Sequence, residues 1–406
     1  MRFHVLALPH TVTTKEYLSC AYTQKVLKFC QMMKKLGHTV YHYGHEESEV
    51  ECDEHITVTD NQVLQEAYGG YDWKKEFFKH NTGDYANLEF IKRAIPEVGA
   101  RKEKGDFLLC FWGIGHKGIA AAHPDLIAVE PGIGYGSNGS FAQFKVFESY
   151  AIANLQYSEL KQTWPSWYHA VIPNYFDPAD FEFRKKKDDY FLYIGRIIKS
   201  KGVDIAVQVT EKIGKKLLIA GQGDFVKELG YEVPPHVEIL GFADVEKRKK
   251  LMAGAQCVMI PSYYNEPFGG VMVEALFSGT PIITTDWGGF AENNLHGVTG
   301  YRCRTMDHFI WAAKNIDKIK PEACYEWAVN NFSLDRISLL YEEYFKGLAN
   351  VSDGKGWYTE DSERTELDWL SRIYPSEVLS ESLNINERNQ NFFKDLEYEK
   401  SINTNM

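Results

Sequence analysis

The chain of 406 residues is 44% hydrophobic and 25% charged, and its formal net charge is −11 at pH 7. This length exceeds that of one ordinary hydrophobic core, so two domains of about 150–200 residues are predicted. The negative charge argues against a general nucleic-acid-binding protein, since such binding relies on basic side chains that neutralise phosphates.

Cysteine usage and the length of the apolar runs predict the cellular compartment. The seven cysteines include no Cys-x-x-Cys pair, which is typical of reduced thiols in the cytoplasm and not of a disulfide framework. Residues 1–14 contain too short an apolar stretch for a signal peptide, and no run reaches the roughly 18 apolar residues of a membrane span. The basic runs 184–187 and 247–250 are interpreted as solvated surface or, alternatively, as a contact with a membrane surface or a polyanion. We expect a cytoplasmic protein with at most peripheral membrane contact.

The first half of the chain alternates apolar runs with amphipathic stretches. A helix is predicted over about 16–36, with Val26, Phe29, Cys30 and Met33 on one face and Gly37 at its end. Such alternation is typical of an α/β domain with a parallel sheet. The runs that predict strands are FHVLAL (3–8), HTVYHYG (38–44), DFLLCFWG (106–113) and DLIAVEPG (125–132).

The same pattern restarts after a polar, charged stretch at 174–189. Here the predicted strands are YFLYIGR (190–196), KKLLIAGQG (215–223), HVEILGF (236–242), QCVMIPS (256–262) and PIITTD (281–286), with helices at about 202–213 and 244–254. We therefore predict two doubly wound domains, 1–175 and 176–345. Residues 346–406 are expected to form a helical extension and a polar tail. A helix at about 333–349 is predicted to cross back to the first domain.

The segment GRIIKSKG (195–202) follows a predicted strand and leads into a helix. Ligands of parallel α/β sheets bind at the carboxyl ends of the strands. Gly195 would let a ligand approach the backbone there, and Arg196 and Lys201 would offer charge-assisted hydrogen bonds to a diphosphate. A surface charge pair beside an ordinary turn is the alternative interpretation.

Two further glycine-rich turns carry weaker signals. GQGD (221–224) follows a strand and suits a ligand that lies close to the backbone. GIGYGSNG (132–139) contains a formal G-x-G-x-x-G, but it lies in the middle of the predicted domain. A dinucleotide fingerprint belongs to the first strand–helix unit and has an acidic residue after the second strand. We therefore interpret 132–139 as a loop on the substrate side and not as a nicotinamide site.

The segment NEPFGGVMVEALFSG (265–279) places a carboxylate on each side of a Gly-Gly pair. Gly269 and Gly270 are predicted at the start of a helix, where unpaired N–H groups and the helix dipole favour an anion. Glu266 precedes this position and Glu274 lies about one turn inside the helix. Carboxylates bind vicinal hydroxyls well, so the pair predicts a sugar on each side of a bound phosphate. The alternative is a capping Glu266 and a surface Glu274.

Together these motifs resemble retaining glycosyltransferases of the GT-B fold, in particular glycosyltransferase family 4. EPFGGVMVE carries the E-x7-E signature, and VIPNYFDPADF (171–181) is similar to the family's interdomain segment. GRIIKSKGVD, LLIAGQGD and 275–294 resemble further family motifs, so the likeness runs in order over about 171–300. In the first half, LPHTVTTKEY stands where the family has a Gly-Gly loop. The resemblance implies two Rossmann-like domains that face each other across a cleft.

The resemblance also implies a role for each matched residue. Arg196 and Lys201 are expected to hold the donor diphosphate. Glu274 is expected to bind the ribose, and Glu266 the hydroxyls of the donor sugar. The remaining nucleotide contacts implied by the resemblance are Gly195, Gln222, Gly223, Phe268, Gly269 and Gly270.

A histidine of the first domain faces the donor sugar in many members of this family. His116, in the segment WGIGHKG after a predicted strand, is the nearest candidate for this catalytic position. His10 and His123 are the alternatives.

The implied reaction is transfer of a sugar from a GDP- or UDP-sugar to a saccharide or glycolipid acceptor, with retention of anomeric configuration. The leaving phosphate itself is expected to take the proton of the acceptor. The sequence has no D-x-D motif, so neither a metal nor another cofactor is expected, and Arg196 and Lys201 would neutralise the diphosphate. The alternatives are a sugar-nucleotide 2-epimerase of the same fold, which needs no acceptor, and a non-catalytic scaffold that binds a nucleotide sugar.

Overall fold

The computed structural model of the protein describes residues 1–17, 20–76, 80–166 and 168–352. The polar tail predicted at the end of the chain lies outside the described residues. Within them, no helix combines the length and the apolar character that crossing a membrane requires.

The described residues of the first domain form a parallel sheet of seven strands in the order β3-β2-β1-β4-β5-β6-β7. The strands are β1 (Arg2–Leu6), β2 (Thr39–His45), β3 (Glu54–Thr59), β4 (Phe107–Cys110), β5 (Ile127–Ile133), β6 (Phe144–Phe147) and β7 (His169–Val171). The helices between them are α1 (Ala21–Lys35), α2 (Asn61–Tyr68), α3 (Tyr85–Arg101), α4 (Lys117–Ala122) and α5 (Tyr150–Glu159).

Helices cover this sheet on both faces, because successive strand residues point to opposite sides. In β4, Phe107 and Leu109 join the core beneath α1, whereas Leu108 and Cys110 join the core beneath α3 and α4. Both faces are therefore apolar, and strands of this kind read as continuous hydrophobic runs.

The second domain repeats the plan with a parallel sheet of six described strands in the order β10-β9-β8-β11-β12-β13. These strands are β8 (Phe191–Ile194), β9 (Leu217–Ala220), β10 (Val237–Gly241), β11 (Cys257–Ile260), β12 (Ile282–Thr285) and β13 (Gly300–Cys303). Its helices are α6 (Val203–Ile213), α7 (Phe225–Leu229), α8 (Val245–Gly254), α9 (Gly270–Phe277), α10 (Gly289–Asn293), α11 (Met306–Lys314) and α12 (Pro321–Phe332).

The helix α13 (Leu334–Ser352) returns to the first domain. Where the chain crosses between the domains, the Phe176 amide donates to the Phe332 carbonyl at 2.8 Å and the Leu334 amide donates to the Phe176 carbonyl at 2.9 Å. Apolar residues of α13 from Leu334 to Leu348 lie in the core of the first domain. The helix predicted at 333–349 thus packs as expected, and the predicted domain end at 345 falls inside it.

The structure confirms the predicted α/β class, the two doubly wound domains and every strand listed from the apolar runs. Sequence reasoning missed β3, β6, β7 and β13. These strands are short or interrupted by charge: β6 carries Lys145, β13 carries Arg302, and β7 has three residues. Their apolar runs are too brief to stand out from the surrounding loops.

Candidate functional site

Loops at the carboxyl ends of both sheets enclose a cleft between the domains. Two adjoining cavities occupy this cleft, and Arg196 and Arg248 line both of them. The charged cavity, about 470 Å³, is bounded by Lys201, Glu266 and Glu274. The aromatic cavity, about 700 Å³, is bounded by rings that include Trp112, Tyr135 and Phe242 together with Gln222.

The charged cavity is locally positive although the whole chain carries a net charge of −11. Among the described residues that line it, seven are basic and four are acidic. The basic residues are Lys15, Lys25, Lys28, Arg196, Lys201, Arg248 and Lys249, and the acidic ones are Glu148, Asp180, Glu266 and Glu274. A concave site with an excess of positive charge concentrates anionic ligands.

Lys201 and Glu266 meet in the charged cavity as an ion pair. Lys201 ends the turn after β8, and the next residue, Gly202, has φ 69° as α6 begins. A Cβ atom at Gly202 would lie 1.9 Å from the Pro261 carbonyl oxygen, so a glycine is required there. The Ser262 hydroxyl donates to the Glu266 carboxylate at 3.1 Å. Two loops that are distant in the sequence are thereby fixed against each other.

The Gly-Gly pair lies at the start of α9, as predicted. Gly269 has φ 87°, and a Cβ atom there would come within 2.4 Å of the Phe290 ring. Gly270 begins the helix and leaves its surroundings open, with the closest atom to a Cβ at 3.6 Å. Both glycines line the charged cavity, so the helix N-terminus borders it. The Phe268 ring is a core residue that stacks against Phe176, with the ring centroids 6.3 Å apart.

Glu274 lies one turn inside α9, where it forms an ion pair that the sequence did not suggest. The Arg248 guanidinium, on α8, donates to the Glu274 carboxylate with an Nε–Oε2 distance of 2.6 Å and an Nη2–Oε2 distance of 2.5 Å. Arg248 belongs to the basic run 247–250, for which the sequence left open a solvated surface or a contact with a membrane surface or a polyanion. Helical geometry divides this run: Arg248 and Lys249 line the charged cavity, whereas Lys250 is exposed.

The turns after β8 and β9 border the aromatic cavity. Gly195 and Gln222 line it, and the Gln222 amide donates to the Trp73 carbonyl at 2.8 Å, which joins the two domains. Gly223 is not among the lining residues within the described part of the chain. A Cβ atom there would lie 2.8 Å from the Ile197 carbonyl, so the two turns can pack closely only with a glycine at 223. Gly223 thus packs the turns together behind Gln222.

The opposite wall of the charged cavity belongs to the first domain and was missed from the sequence. The Lys25 ammonium donates to the Gly132 carbonyl and to the Glu148 carboxylate, both at 2.8 Å. The Asn174 amide donates to the same carboxylate, and the Tyr22 hydroxyl accepts from the Gly134 amide at 2.9 Å. The one signal in the sequence is that Lys25 lies next to the apolar face of the first helix. Its partner Glu148 is 123 positions away, so the sequence does not indicate the pair.

Lys28, one helical turn further along α1, is a second, partly buried cation of this wall. Its ammonium lies 4.9 Å from the centre of the Phe176 ring and 3.9 Å from the Asp180 carboxylate. Burial lowers the pKa of Lys28, and the Asp180 carboxylate opposes that shift.

The loop 132–139, predicted on the substrate side, does border the cleft. Gly134 lines the charged cavity, and Tyr135 and Gly139 line the aromatic cavity. The buried Glu130 carboxylate anchors the end of this loop by accepting from the amides of Phe141 at 3.1 Å and Ala142 at 2.9 Å. Burial raises the pKa of Glu130 despite these hydrogen bonds.

His116 lies in the core and not in the cleft, contrary to the prediction. Its Nε2 is 3.0 Å from the Ala7 carbonyl, and its Nδ1 accepts from the Trp112 amide at 3.3 Å. The ring stacks on Phe90 with the centroids 5.6 Å apart, and burial lowers the pKa of His116 to about 3. The 3₁₀ turn 113–116 directs this side chain back towards the sheet, so both ring nitrogens are used within the fold.

The two alternative histidines differ in position. His123 is buried beside α3, with its Nε2 3.0 Å from the Ile95 carbonyl. His10 lies behind the aromatic cavity, with its ring centroid 4.7 Å from that of Trp112. Burial lowers the pKa of His10 to about 3. His10 is therefore the candidate histidine whose ring packs against a wall of the cleft.

Comparisons with known proteins agree with this arrangement. Residues 177–320 match the model of the family described as "Glycosyl transferases group 1". An uncharacterized glycosyltransferase of Methanocaldococcus jannaschii is 34% identical over 201 residues, which is 43% of this chain and 50% of that protein. The glycogen synthase of Mycobacterium tuberculosis is 32% identical over 151 residues, 34% of this chain and 36% of that protein. The matched region thus spans half or less of the length of these relatives.

Solved structures share the architecture at low sequence identity. A glycosyltransferase involved in avilamycin A biosynthesis superposes with a TM-score of 0.61 and 18% identity over 86% of this chain and 98% of its own. Sucrose-phosphate synthase from Thermosynechococcus elongatus superposes with a TM-score of 0.63 and 15% identity over 86% of this chain and 100% of its own. Anabaena HepE in complex with UDP-glucose superposes with a TM-score of 0.59 and 15% identity over 85% of this chain and 99% of its own. The protein therefore has the GT-B fold.

Proposed function

We propose that the protein is a glycosyltransferase that moves a sugar from a nucleoside-diphosphate sugar to a saccharide or glycolipid acceptor. The observation that carries this proposal is the convergence of two cation–carboxylate pairs and a helix N-terminus on one interdomain cavity. These are Lys201 with Glu266, Arg248 with Glu274, and the start of α9 at Gly270. The family match over 177–320 supports it.

The basic side chains suit the donor diphosphate. Breaking the bond between the anomeric carbon and the phosphate leaves negative charge on the departing diphosphate. Arg196 and Lys201, which both line the charged cavity, would stabilise that charge together with the N–H groups at the start of α9. We propose that these groups take the role that a divalent cation has in other transferases.

The two carboxylates suit the hydroxyl groups on either side of the diphosphate. An ionised carboxylate offers acceptor sites for about four hydrogen bonds, so a basic partner still leaves sites for sugar hydroxyls. Glu266, held by Lys201 and Ser262, would bind the donor sugar. Glu274, held by Arg248, would bind the ribose.

The aromatic cavity suits the base of the nucleotide. It adjoins the charged cavity at Arg196 and Arg248, and its wall combines rings with the glycine-rich turns after β8 and β9. Mostly apolar walls with a few polar groups are typical of sites for flat ligands. The complex of the similar HepE structure with UDP-glucose supports a nucleoside-diphosphate sugar as the donor.

The proposed transfer retains the anomeric configuration. The acceptor oxygen forms a bond to the anomeric carbon as the bond from that carbon to the phosphate oxygen breaks. The acceptor proton goes to an oxygen of the leaving phosphate, so no protein carboxylate forms a covalent intermediate. Closure of the cleft over the donor would exclude water that could otherwise hydrolyse it.

The test is an incubation of the purified chain with UDP- and GDP-sugars, each with and without a panel of saccharide acceptors. Release of the nucleoside diphosphate only when an acceptor is present, with a product of unchanged anomeric configuration by NMR, is the expected result. Isomerisation of the sugar nucleotide without an acceptor would assign an epimerase instead. If neither reaction occurs although the chain binds a nucleotide sugar, the protein would be a non-catalytic scaffold.

A further inference from the structure

A third cavity lies outside the interdomain cleft, on the first domain. It occupies about 600 Å³ between α5 and β7, and we refer to it as the α5 groove. Its described lining residues include none of those that line the charged or aromatic cavities. They are Phe147, Tyr150, Ala153, Asn154, Tyr157, Ser158, Gln162, Thr163, Trp164, Pro165, His169, Ala170 and Val171.

The C-terminal end of α5 folds the chain back to form one wall of this groove. Lys161 has φ 53°, a left-handed conformation that is uncommon for a residue other than glycine. The backbone N–H of Gln162 then donates to the Tyr157 carbonyl at 2.8 Å, which closes the helix end. The chain after this turn carries Trp164, which remains 73% exposed at the groove. Tyr150, at the other end of α5, is 51% exposed.

The floor of the groove is aromatic and electrically neutral. The Tyr157 and His169 rings are stacked 5.7 Å apart at an angle of 6°, and the Tyr157 hydroxyl lies 3.0 Å from His169 Nδ1. The Phe147 ring meets His169 edge-on at 5.5 Å. Burial lowers the pKa of His169 to about 4, so its imidazole is neutral at pH 7.

The lining of the α5 groove contrasts with that of the charged cavity. None of its described lining residues is Lys, Arg, Asp or Glu. Its polar groups include the side-chain amides of Asn154 and Gln162 and the hydroxyls of Ser158 and Thr163, which both donate and accept hydrogen bonds. An anion would find no counter-charge among these residues. A neutral ligand with many hydroxyls would find partners of both kinds.

We infer that the α5 groove binds a neutral saccharide chain through stacking on Trp164 and hydrogen bonds to Asn154 and Gln162. A pyranose has apolar C–H faces that suit an exposed aromatic ring and a rim of hydroxyls that suits amide groups. Saccharide binding at this groove does not depend on the proposed function. We further infer that the bound saccharide is the acceptor, and this step rests on the proposed function.

The groove is connected to the donor side of the molecule. The amides of Tyr150 and Ala151, at the start of α5, donate to the Glu292 carboxylate of α10 at 2.8 and 2.7 Å. The helix that forms one wall of the groove is thus held directly by the second domain. A chain bound in the groove would therefore lie on a helix that contacts the second domain.

The test is a titration of the full chain with maltohexaose, cellohexaose, mannohexaose and chitohexaose, followed by saturation-transfer NMR and calorimetry. Binding of at least one of these probes is expected, and Trp164→Ala should weaken it at least tenfold. Because the Trp164 side chain is largely exposed, its truncation should leave the fold intact. Trp311→Ala is the matched control, because Trp311 is also exposed and lies in α11 of the second domain.

Each outcome decides the inference. Binding by none of the four probes, or equal binding by wild type and Trp164→Ala, overturns it. Trp164-dependent co-sedimentation with phosphatidylcholine vesicles, without saccharide binding, also overturns it and assigns a membrane contact. UDP and GDP titrations on the same samples separate the two proposals. If the wild-type chain binds UDP or GDP but none of the saccharides, only the inference about the α5 groove is rejected. If it binds a saccharide but neither nucleotide, only the proposed function is rejected.

Discussion

The two domains have the same architecture, but they build their walls of the cleft in different ways. In the second domain, Arg196, Lys201 and Glu266 lie in short loops that directly follow strands. In the first domain, the wall depends on the contact between Lys25 and Glu148, which are 123 positions apart. Local strand–turn–helix units make a site visible in the sequence, whereas long-range contacts become visible only in the folded structure.

The largest expected effect tests the second domain's wall. Lys201→Ala should lower the rate of sugar transfer about 10²- to 10³-fold, since it removes a cation from the developing charge on the diphosphate. Lys199→Ala is the matched control, because Lys199 is exposed in the same turn. Initial rates of nucleotide release would measure both. Equal rates for the two variants would contradict the assignment of Lys201.

The next effect tests the first domain's wall through its stability. Lys25→Met should lower the free energy of unfolding by about 3 kcal/mol, because the Glu148 carboxylate would be left buried without its ion-pair partner. Adding Glu148→Gln to this variant should recover part of the loss, since the uncompensated charge is then removed. Urea unfolding measures both variants. A single variant as stable as wild type would show that the pair does not hold this wall.

Particular residues explain how far the sequence could predict this molecule. The strands marked by apolar runs followed from local pattern, as did the positions of Lys201 and Glu266 in loops near the carboxyl ends of strands. Arg248 was missed because a basic run does not reveal which of its members faces inwards. His116 was expected to face the donor sugar because the resembled family has a histidine there after a similar strand, but the 3₁₀ turn directs it to the core. Such orientations depend on packing against residues far away in the sequence.

Acid should distinguish the two domains. Burial lowers the pKa of His10, His42 and His116 to about 3, and all three lie in the first domain. In the unfolded chain a histidine has a pKa near 6.5, so between pH 6.5 and pH 3 the unfolded chain binds more protons than the folded chain. The contribution of these histidines to the free energy of unfolding is therefore fully present above about pH 6.5 and decreases as the pH falls towards 3. Between pH 7 and pH 5 each of these histidines should cost about 2 kcal/mol.

Hydrogen exchange followed by mass spectrometry, corrected for intrinsic exchange rates, measures this difference. Peptides from β1, β2 and β4 should lose protection at a higher pH than peptides from β8, β11 and β12. Earlier loss of protection in the second domain would contradict the expectation.

The smallest expected effect concerns the Arg248–Glu274 pair. Arg248→Ala should weaken nucleoside-diphosphate binding about tenfold, since Glu274 loses the partner that orients it and the cavity loses one positive charge. The exposed Lys250 on the same helix provides the control variant Lys250→Ala. Calorimetric titration compares the two. Equal affinities would show that Arg248 does not contribute to nucleotide binding.

The central claim is that basic side chains of the charged cavity hold the donor diphosphate in place of a metal ion. Calorimetric titration of UDP and GDP in excess EDTA tests it directly, with wild type, Arg196→Ala and Lys199→Ala side by side. Wild type and Lys199→Ala should bind one of the two nucleotides in EDTA, and Arg196→Ala should bind it at least tenfold more weakly. Binding that disappears in EDTA and returns with a divalent cation would contradict this claim.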